Sequence, residues 1–474
     1  MAWLFIFIPV LAVILLNLPF GAAYRKSALS VALLLAVAQV AFLLAPLSGL
    51  LAFGMCPICP FTFRSIDALG RLMMLSIGIV SFSALLTGWR MTDQAERKFD
   101  FANLVLIAMA GMNGIILSGD LFTLYVFLEI TAVASFILIA MDKNKASLEG
   151  SFKYLMLSAV ATIMMLSSIA LVVMLTGGTS FESAVTVMKA GSGSHLGLLA
   201  AGLFLAGLLI KGGLVPFHGW LPDAYSAAPA GVSVLLAGIV TKTTGIYTII
   251  KLVTAVTGFT QQLQHILLFV GALSMIAGAF AALGQKDFKR MLAYSSISQM
   301  GYIILGLGAF NPLAIMGAAF HLFNHSIFKT QLFINSAAVE ESAKTLDMDK
   351  LGGLSEKMPV TGATSLIAFL STAGIPPLAG FWSKLLIIMG LWAAGFKVYA
   401  LLAVLASVIT VAYFLSMTRR VFFGKILPEF SAIKEAGFAI TFPAVLLAAI
   451  TVAAGVFFPF MLDNFIIPVK ALLG

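Results

Sequence analysis

Ionisable residues inside long apolar stretches are the side chains of this sequence best placed to do chemistry. Lys211 and Lys242 lie in apolar runs on either side of a short break at Gly212, Gly213 and Pro216. A charge at the centre of a bilayer costs between about 3 and 10 kcal/mol or more, so it rarely occurs there without a role. A helix break at the same depth must face protein or water. These features together predict a hydrated path for protons or small cations.

Glu129 lies near the middle of another apolar run, and we expect it to pair with Lys211. Removal from water penalises an isolated charge of either sign, but a carboxylate and an ammonium group that lie close together stabilise each other. Opening and closing of this pair would then control how firmly the lysine holds its proton. The alternative is a static structural salt bridge.

Two further lysines extend the predicted path. Lys242 is in the middle of its run, where the alternative is a buried structural pair. Lys384 follows a second break, Gly374-Ile-Pro-Pro-Leu-Ala-Gly380, where an unwound turn has room for water. Snorkelling of the side chain to the membrane surface is the alternative for Lys211 and Lys384.

His321, His325 and Lys329 follow one another at intervals of four residues within one apolar run. This spacing places them on one face of a helix, and that face must point into the protein. We expect the stripe to relay protons between Lys242 and Lys384, because histidine titrates near neutral pH. Metal binding by the two histidines is less favoured, since no acidic or thiol partner occurs in the same run.

His218 and Asp223, in the run PFHGWLPD, are candidates for the cytoplasmic entrance of the path. Their alternative roles are helix capping and fixing of a loop. The sequence contains no nucleotide-binding loop, no haem or flavin motif and no Ser/His/Asp arrangement. We therefore assign no catalytic residue, no metal site and no cofactor to this chain, and we place its energy source in a partner.

The amino-acid composition indicates what kind of structure positions these residues. Of the 474 residues 61% are hydrophobic and only 10% are charged, and the mean hydropathy is +1.08. Soluble proteins have about 25% charged residues, so this is an all-α polytopic membrane protein. The net charge of +9 comes from lysines and arginines in short loops, which indicates membrane topology and no nucleic-acid partner.

Apolar runs of about 20 residues predict fourteen transmembrane helices. The predicted spans are 2–20, 29–53, 69–89, 101–118, 121–141, 154–176, 196–221, 230–250, 264–284, 291–310, 312–338, 360–393, 398–418 and 438–460. Most lysines and arginines fall in the odd-numbered links, which the positive-inside rule assigns to the cytoplasm. The protein is therefore expected in the cell membrane with both termini on the outer side.

The two broken spans, 196–221 and 360–393, are five helices apart and so run in opposite directions. This is typical of inverted repeats whose discontinuous helices form ion sites near the membrane midplane. The Gly- and Ser-rich stretch 177–195 is predicted to be a loop. The resulting organisation is a three-helix flank (1–100), a first five-helix repeat (101–255), a second, inverted five-helix repeat (256–420) and a last helix (421–474).

Cys56 and Cys59 lie in a Cys-Pro-Ile-Cys-Pro loop that the topology places on the outer side. Zinc or an iron–sulfur cluster needs about four ligands, so this chain alone is not expected to hold one. The two interpretations are a redox role and a tight proline-flanked loop, in which a disulfide would be permitted outside the cell.

Four sequence blocks resemble the antiporter-like membrane subunits shared by respiratory complex I, Mrp cation/proton antiporters and membrane-bound energy-converting hydrogenases. The resemblance spans about residues 60–425 and rests on LIKGGLVPFHGWLPDA (209–224), QKDFKRMLAYSSISQMG (285–301), HLFNHSIFK (321–329) and GIPPLAGFWSK (374–384). It implies that Glu129, Lys211, Lys242 and Lys384 form the central ion axis and that His321 and His325 join its two halves.

The run GDLFTLYVFLEI (119–130) is most similar to the D-type subunit of Mrp antiporters and its hydrogenase relatives. The resemblance implies a proton- or Na⁺-translocating subunit that works with other membrane subunits and, in some complexes, a soluble redox arm carrying nickel–iron or iron–sulfur centres. One alternative is a pump subunit of a complex I-type oxidoreductase. Another is a structural subunit with an inactive ion path, and a stand-alone antiporter is disfavoured.

Overall fold

The computed structural model describes residues 2–18, 22–45, 61–92, 94–189, 195–258 and 260–473. Over these ranges the chain is almost entirely helical, and its β-pairing is limited to isolated bridges such as Asp287 with Asp347. Cys56 and Cys59 lie outside the described residues, so both interpretations of their loop stay predictions.

Nineteen α-helical segments follow one another along the described chain. They are α1 (Leu4–Leu16), α2 (Ala22–Leu44), α3 (Ala68–Met91), α4 (Ala95–Leu117), α5 (Leu121–Ile139), α6 (Lys145–Thr176), α7 (Phe181–Lys189), α8 (His195–Lys211), α9 (Trp220–Ala227), α10 (Ala230–Leu235), α11 (Thr248–Leu252), α12 (Gln261–Leu283), α13 (Phe288–Gly308), α14 (Pro312–Ala343), α15 (Pro359–Ala373), α16 (Ala379–Ala393), α17 (Lys397–Val421), α18 (Phe438–Val456) and α19 (Phe458–Met461).

Each of the fourteen predicted spans contains a helix. In the described part of the chain nine helices are long and apolar enough to cross a membrane by themselves. The segments beside the two breaks are shorter, and the polar side chains of α14 make it less apolar than a typical span. The membrane character and the helical fold are confirmed, whereas the number of crossings stays a prediction.

Two expectations about local structure were wrong. The stretch 177–195, expected as a loop, contains the helix α7, because residues 181–189 have an apolar side on which Ala184 and Val187 are buried against the protein. Lys289, which falls in the link just before the predicted span 291–310 and was therefore expected in a loop, lies in the first turn of α13 and is buried. α7 is thus a short helix of its own between α6 and α8, whereas α13 begins before the apolar run from which its span was predicted.

Both predicted breaks are present. α8 ends at Lys211, Gly213 has a φ of +62° and the chain resumes as a helix at Trp220. The carbonyl oxygen of Ile210, which has no partner within the helix, accepts hydrogen bonds from the Gly213 N–H and from the Trp220 indole N–H, each at 3.0 Å. This satisfies the broken backbone inside the protein, as a membrane requires.

The second break separates α15 from α16. Gly374 has a φ of +86° and ends α15, with its N–H donating to Leu370 and Ser371 carbonyl oxygens. On the far side of the break the Gly380 N–H donates to the Ser371 hydroxyl at 3.2 Å. The division into two inverted repeats, in which these breaks correspond, stays our interpretation.

Glycines allow α12 and α13 to pack with their backbones almost in contact. A Cβ added at Gly301 would lie 2.4 Å from the Met275 nitrogen, and one at Gly278 would lie 2.6 Å from the Ser298 nitrogen. Small residues are what allow helices to approach closely in a membrane, where packing replaces the hydrophobic effect as the driving force. This contact holds α13, which faces the candidate site, at a fixed distance from α12.

We expect Gly301→Ala to lower the melting temperature of the detergent-solubilised protein, because the added methyl group meets backbone that cannot yield. Overpacking of this kind typically costs about 1–3 kcal/mol. Gly202→Ala is the matched control, since a Cβ at this helical glycine would meet nothing within 4 Å. Equal melting temperatures for the two variants would show that the α12–α13 contact does not limit stability.

Candidate ion path

Glu129 and Lys211 form the ion pair that the sequence led us to expect. The Lys211 ammonium, at the end of α8, lies 3.0 Å from the Glu129 carboxylate on α5 and is 3% exposed. Two hydroxyl groups of α6 complete the pair: Thr162 donates to Glu129 at 2.7 Å, and Lys211 donates to the Ser158 oxygen at 3.1 Å. The carboxylate is more open, with 28% of the side chain exposed.

Lys242 lies in a helix that runs from Ala230 to Thr257 and is buried from Ala230 to Ile250. Its side chain is fully buried and its ammonium group donates to the carbonyl oxygen of Ala237. It begins one of three π-helical stretches in this helix, Lys242–Tyr247. A π-helical turn leaves backbone carbonyl groups available to side chains, and such turns occur frequently at functional sites.

Glycines bring the Lys242 stretch against its neighbours on both sides. A Cβ at Gly245 would lie 2.3 Å from the Gly212 Cα, so the stretch touches the break that follows Lys211. A Cβ at Gly238 would lie 2.3 Å from the Thr330 hydroxyl oxygen on α14. Lys242 is therefore held between the Glu129–Lys211 pair and the polar face of α14.

His321 on α14 connects this face to the second break. Its Nδ1 lies 2.8 Å from the Ser383 hydroxyl and its Nε2 lies 3.2 Å from the Gln299 side-chain oxygen. Ser383 precedes Lys384 in α16. The imidazole is fully buried, with both nitrogens occupied by protein.

His325 lies one turn further along α14 and is also fully buried, but neither of its ring nitrogens has a hydrogen-bond partner among the described residues. Its ring is nearly parallel to that of His321, at a centroid distance of 6.2 Å and an angle of 7°. Stacked rings do not point their nitrogens at a common centre. The geometry therefore gives no support to the metal-binding alternative.

Lys329 completes the predicted stripe. It is fully buried, donates to the Leu292 carbonyl oxygen on α13 at 3.0 Å and lies 5.7 Å from the centre of the Phe414 ring. Lys329 and Lys242 both lie close enough to His325 to act on it electrostatically. The i, i+4 spacing thus brings the three residues of the stripe to one interior face, as expected.

Lys384 occupies the space left by the second break. It is 3% exposed and its ammonium group has no hydrogen-bond partner among the described residues. The ammonium group lies over the face of the Tyr302 ring, whose centre is 4.4 Å away. A cation over an aromatic face is stabilised by roughly 0.5–2 kcal/mol, which is less than a carboxylate would provide. Within the described chain none of Lys242, Lys329 and Lys384 forms an ion pair.

The two candidates for the cytoplasmic entrance differ in their surroundings. Asp223, in α9, accepts from Lys153 at 2.7 Å and from Arg290 at 2.6 Å. Burial alone would raise its pKa, but these two cations outweigh burial and hold the pKa of Asp223 below its usual range. His218 lies in the first break with a buried Nδ1 that has no partner among the described residues. Through its ion pairs with Lys153 and Arg290, Asp223 joins α9 to α6 and to α13.

Sequence reasoning missed the neutral partners of the path. Ser158, Thr162, Gln299, Tyr302 and Ser383 all contact its charged or imidazole groups. Isolated hydroxyl and amide residues are common in membrane helices. Only the charged residues stood out against the apolar background, and no spacing rule links partners on different helices.

Comparison with known proteins identifies relatives over most of the chain. A family model described as NADH:quinone oxidoreductase/Mrp antiporter, TM, matches residues 118–410. The chain is 33% identical over 395 residues to the D-type subunit of the Na⁺/H⁺ antiporter of Alkalihalophilus pseudofirmus, and the match covers 82% of this chain and 79% of that protein.

Two solved structures are similar over their full length. A chain of the Mrp complex from Dietzia sp. DQ12-45-1b has a TM-score of 0.88 and 25% identity, covering 100% of this chain and 99% of that chain. A chain of respiratory complex I from Thermus thermophilus with bound NADH has a TM-score of 0.86 and 25% identity, covering 100% of both.

The Glu129–Lys211 pair should behave as one energetic unit. We expect Glu129→Gln to lower stability by up to about 3 kcal/mol, because it leaves the buried Lys211 uncompensated, and Lys211→Met to lower it less, because the Glu129 side chain is 28% exposed. The double variant should be more stable than the sum of the single effects predicts. Melting temperatures of the four forms measure this coupling, and strictly additive losses would contradict it.

The Asp223 cluster should stabilise the fold at neutral pH and lose this effect in acid. Because the folded-state pKa of Asp223 is depressed, its contribution is present above the unfolded value of about 3.9 and disappears as the pH falls through the folded value. We expect Asp223→Asn to melt below the parent at pH 7, with the difference shrinking below about pH 4. Asp463→Asn, at an exposed carboxylate, is the control and should match the parent throughout.

Proposed function

This chain belongs to the NADH:quinone oxidoreductase/Mrp antiporter family, and we propose that it is an ion-translocating subunit of a multisubunit membrane complex. The transported ion is a proton, or a proton exchanged for Na⁺ elsewhere in the complex. The observation that carries the proposal is a series of ionisable groups from the Glu129–Lys211 pair to Lys384, in which Lys242, Lys329 and Lys384 are buried without a carboxylate partner among the described residues.

A lysine buried without an anion is poised between its charged and neutral forms. Removal from water disfavours the ammonium group, and in the described chain only backbone carbonyl groups and aromatic faces oppose that penalty at Lys242, Lys329 and Lys384. A small change in nearby charge then decides whether such a lysine holds a proton. This is the property that a proton carrier needs and that a purely structural residue does not.

The Glu129–Lys211 pair supplies that change in charge. While the pair is closed, the Glu129 carboxylate compensates the charge of Lys211. When the pair opens, the uncompensated positive charge of Lys211 repels a proton on Lys242. The contact between Gly212 and Gly245 holds Lys242 near Lys211. The proton moves to the imidazole of His325, which has both nitrogens free of partners in the described chain, and then towards Lys384. Buried polar atoms without protein partners, as at His325 and Lys384, are the groups that ordered water would serve.

Within the family, we assign the chain to the D-type subunits of Mrp-like modules. The 33% identity to the D-type subunit of the Alkalihalophilus pseudofirmus antiporter supports this, as does the TM-score of 0.88 to a chain of the Mrp complex. The partners are other membrane subunits, and we place both termini on the outer side of the cell membrane. The same module in a membrane-bound hydrogenase would add a soluble arm with nickel–iron or iron–sulfur centres.

A pump subunit of a complex I-type oxidoreductase is the second candidate, because the TM-score to complex I from Thermus thermophilus is 0.86. Mass spectrometry of the gently solubilised native complex, with metal analysis, separates the two. Membrane subunits without metals support the antiporter, whereas redox subunits with iron or nickel support a redox-driven pump.

We expect Lys384→Met to abolish Na⁺-driven proton movement while the complex still assembles. The measurement is the fluorescence of a pH-sensitive dye in inside-out vesicles, after addition of NaCl, from a host without other sodium/proton antiporters. Lys397→Met is the matched control, since Lys397 is an exposed lysine whose ammonium group lies over the Trp392 ring face at 5.5 Å. Normal transport in Lys384→Met would favour a structural subunit with an inactive path.

A further inference from the structure

A polar cavity of about 500 Å³ opens on the side of the molecule that the charge distribution assigns to the cytoplasm. Its walls come from the end of α3, the start of α4, the 141–144 segment that follows α5, the start of α6, the 226–232 segment, α13 and α14. A water molecule occupies about 30 Å³, so the cavity holds many. Neither His218 nor Asp223 lines it.

Charged side chains line this cavity from its mouth to its depth. Arg97 and Asp142 form a loose pair of 3.7 Å near the surface, where they are 35% and 40% exposed. Glu340 is 37% exposed and lies 2.8 Å from the ammonium group of Lys289, which is only 3% exposed. The Glu340 side chain is therefore partly open to solvent, while its oxygen that faces Lys289 and the lysine itself are enclosed by the protein.

The deep end of the cavity leads towards the ion path. Lys289 lies one helical turn before Leu292, whose carbonyl oxygen accepts from Lys329 at 3.0 Å and from the Ser296 hydroxyl at 3.1 Å. On α14, Ser336 lies between Glu340 and Lys329 at a spacing that keeps all three on one face. Glu340 and Lys329 are about 16 Å apart along the helix axis.

We propose that this cavity is the cytoplasmic entrance of the ion path and that Glu340, paired with Lys289, takes up protons there for delivery to Lys329. The inference rests on the proposed function. A proton from water converts the Glu340 carboxylate to the acid. It then passes through water and the Ser336 and Ser296 hydroxyls to the neutral amine of Lys329, which becomes an ammonium group while Glu340 returns to the carboxylate.

The neighbouring residue provides a matched control. Glu341 is also a paired carboxylate on α14, 2.7 Å from Arg90, but it does not line the cavity. In the complete complex we expect Glu340→Gln to reduce the initial rate of Na⁺-driven proton movement at least tenfold, and Glu341→Gln to leave it within twofold of the parent. Equal rates in Glu340→Gln and the parent, or equal losses in both variants, would overturn the proposal.

Access to the cavity can be tested independently of Glu340. Ala146 is an exposed residue of the cavity wall. Transport by the Ala146→Cys variant should therefore be blocked when a positively charged, membrane-impermeant thiol reagent is added to the cytoplasmic face. Lys286→Cys, on an exposed side chain outside the cavity, and the parent chain with its own two cysteines should keep their rates under the same treatment. Unimpaired transport in labelled Ala146→Cys would place the entrance elsewhere.

Transport by the Lys211→Ala variant, measured in the same vesicles, distinguishes a failure of this inference from a failure of the proposed function. Normal transport in Lys211→Ala would contradict the function itself. Loss of transport there, together with normal transport in Glu340→Gln, would contradict only the assignment of the entrance. If Glu340→Gln prevents assembly, the Ala146→Cys labelling decides the question.

Discussion

The low polarizability of the membrane interior governs how this protein is built, because a charge there must be compensated or lost. Glu129 and Lys211 meet this constraint by pairing and by recruiting two hydroxyl groups from α6. The other buried lysines of the path meet it only in part, with carbonyl groups and ring faces. The difference between the compensated and the incompletely compensated lysines is what makes a directed transfer of protons physically reasonable.

The helix α14 carries most of the consequences of that constraint. Over its 32 residues it places two imidazoles and a lysine on one buried face and presents Glu340 to the polar cavity. A helix this polar would be unstable in contact with lipid, so it is enclosed by its neighbours over nearly its whole length. The polar face and its enclosure therefore depend on each other.

The sequence predicted the features that membrane physics makes conspicuous. Apolar runs indicated the helices, the Gly- and Pro-containing breaks indicated where α8 and α15 end, and isolated charges indicated Glu129, Lys211 and Lys384. It could not predict partners that are set by three-dimensional packing, such as Ser158 beside Lys211 or Tyr302 under Lys384. Lys289 was misplaced because a lysine near the end of an apolar run resembles a loop residue until its carboxylate partner on another helix is known.

The glycine contacts have a consequence for the type of transport. Many secondary transporters work by alternating access, in which one group of helices rocks against another around a fixed site. Here the backbones at Gly212 and Gly245 touch, as do those of α12 and α13 at Gly301, so the elements that carry the ionisable groups have little freedom to separate. The framework is therefore suited to ion conduction through a static scaffold. In such a scaffold the rate-limiting motions are side-chain rotations and water reorganisation, not domain movements.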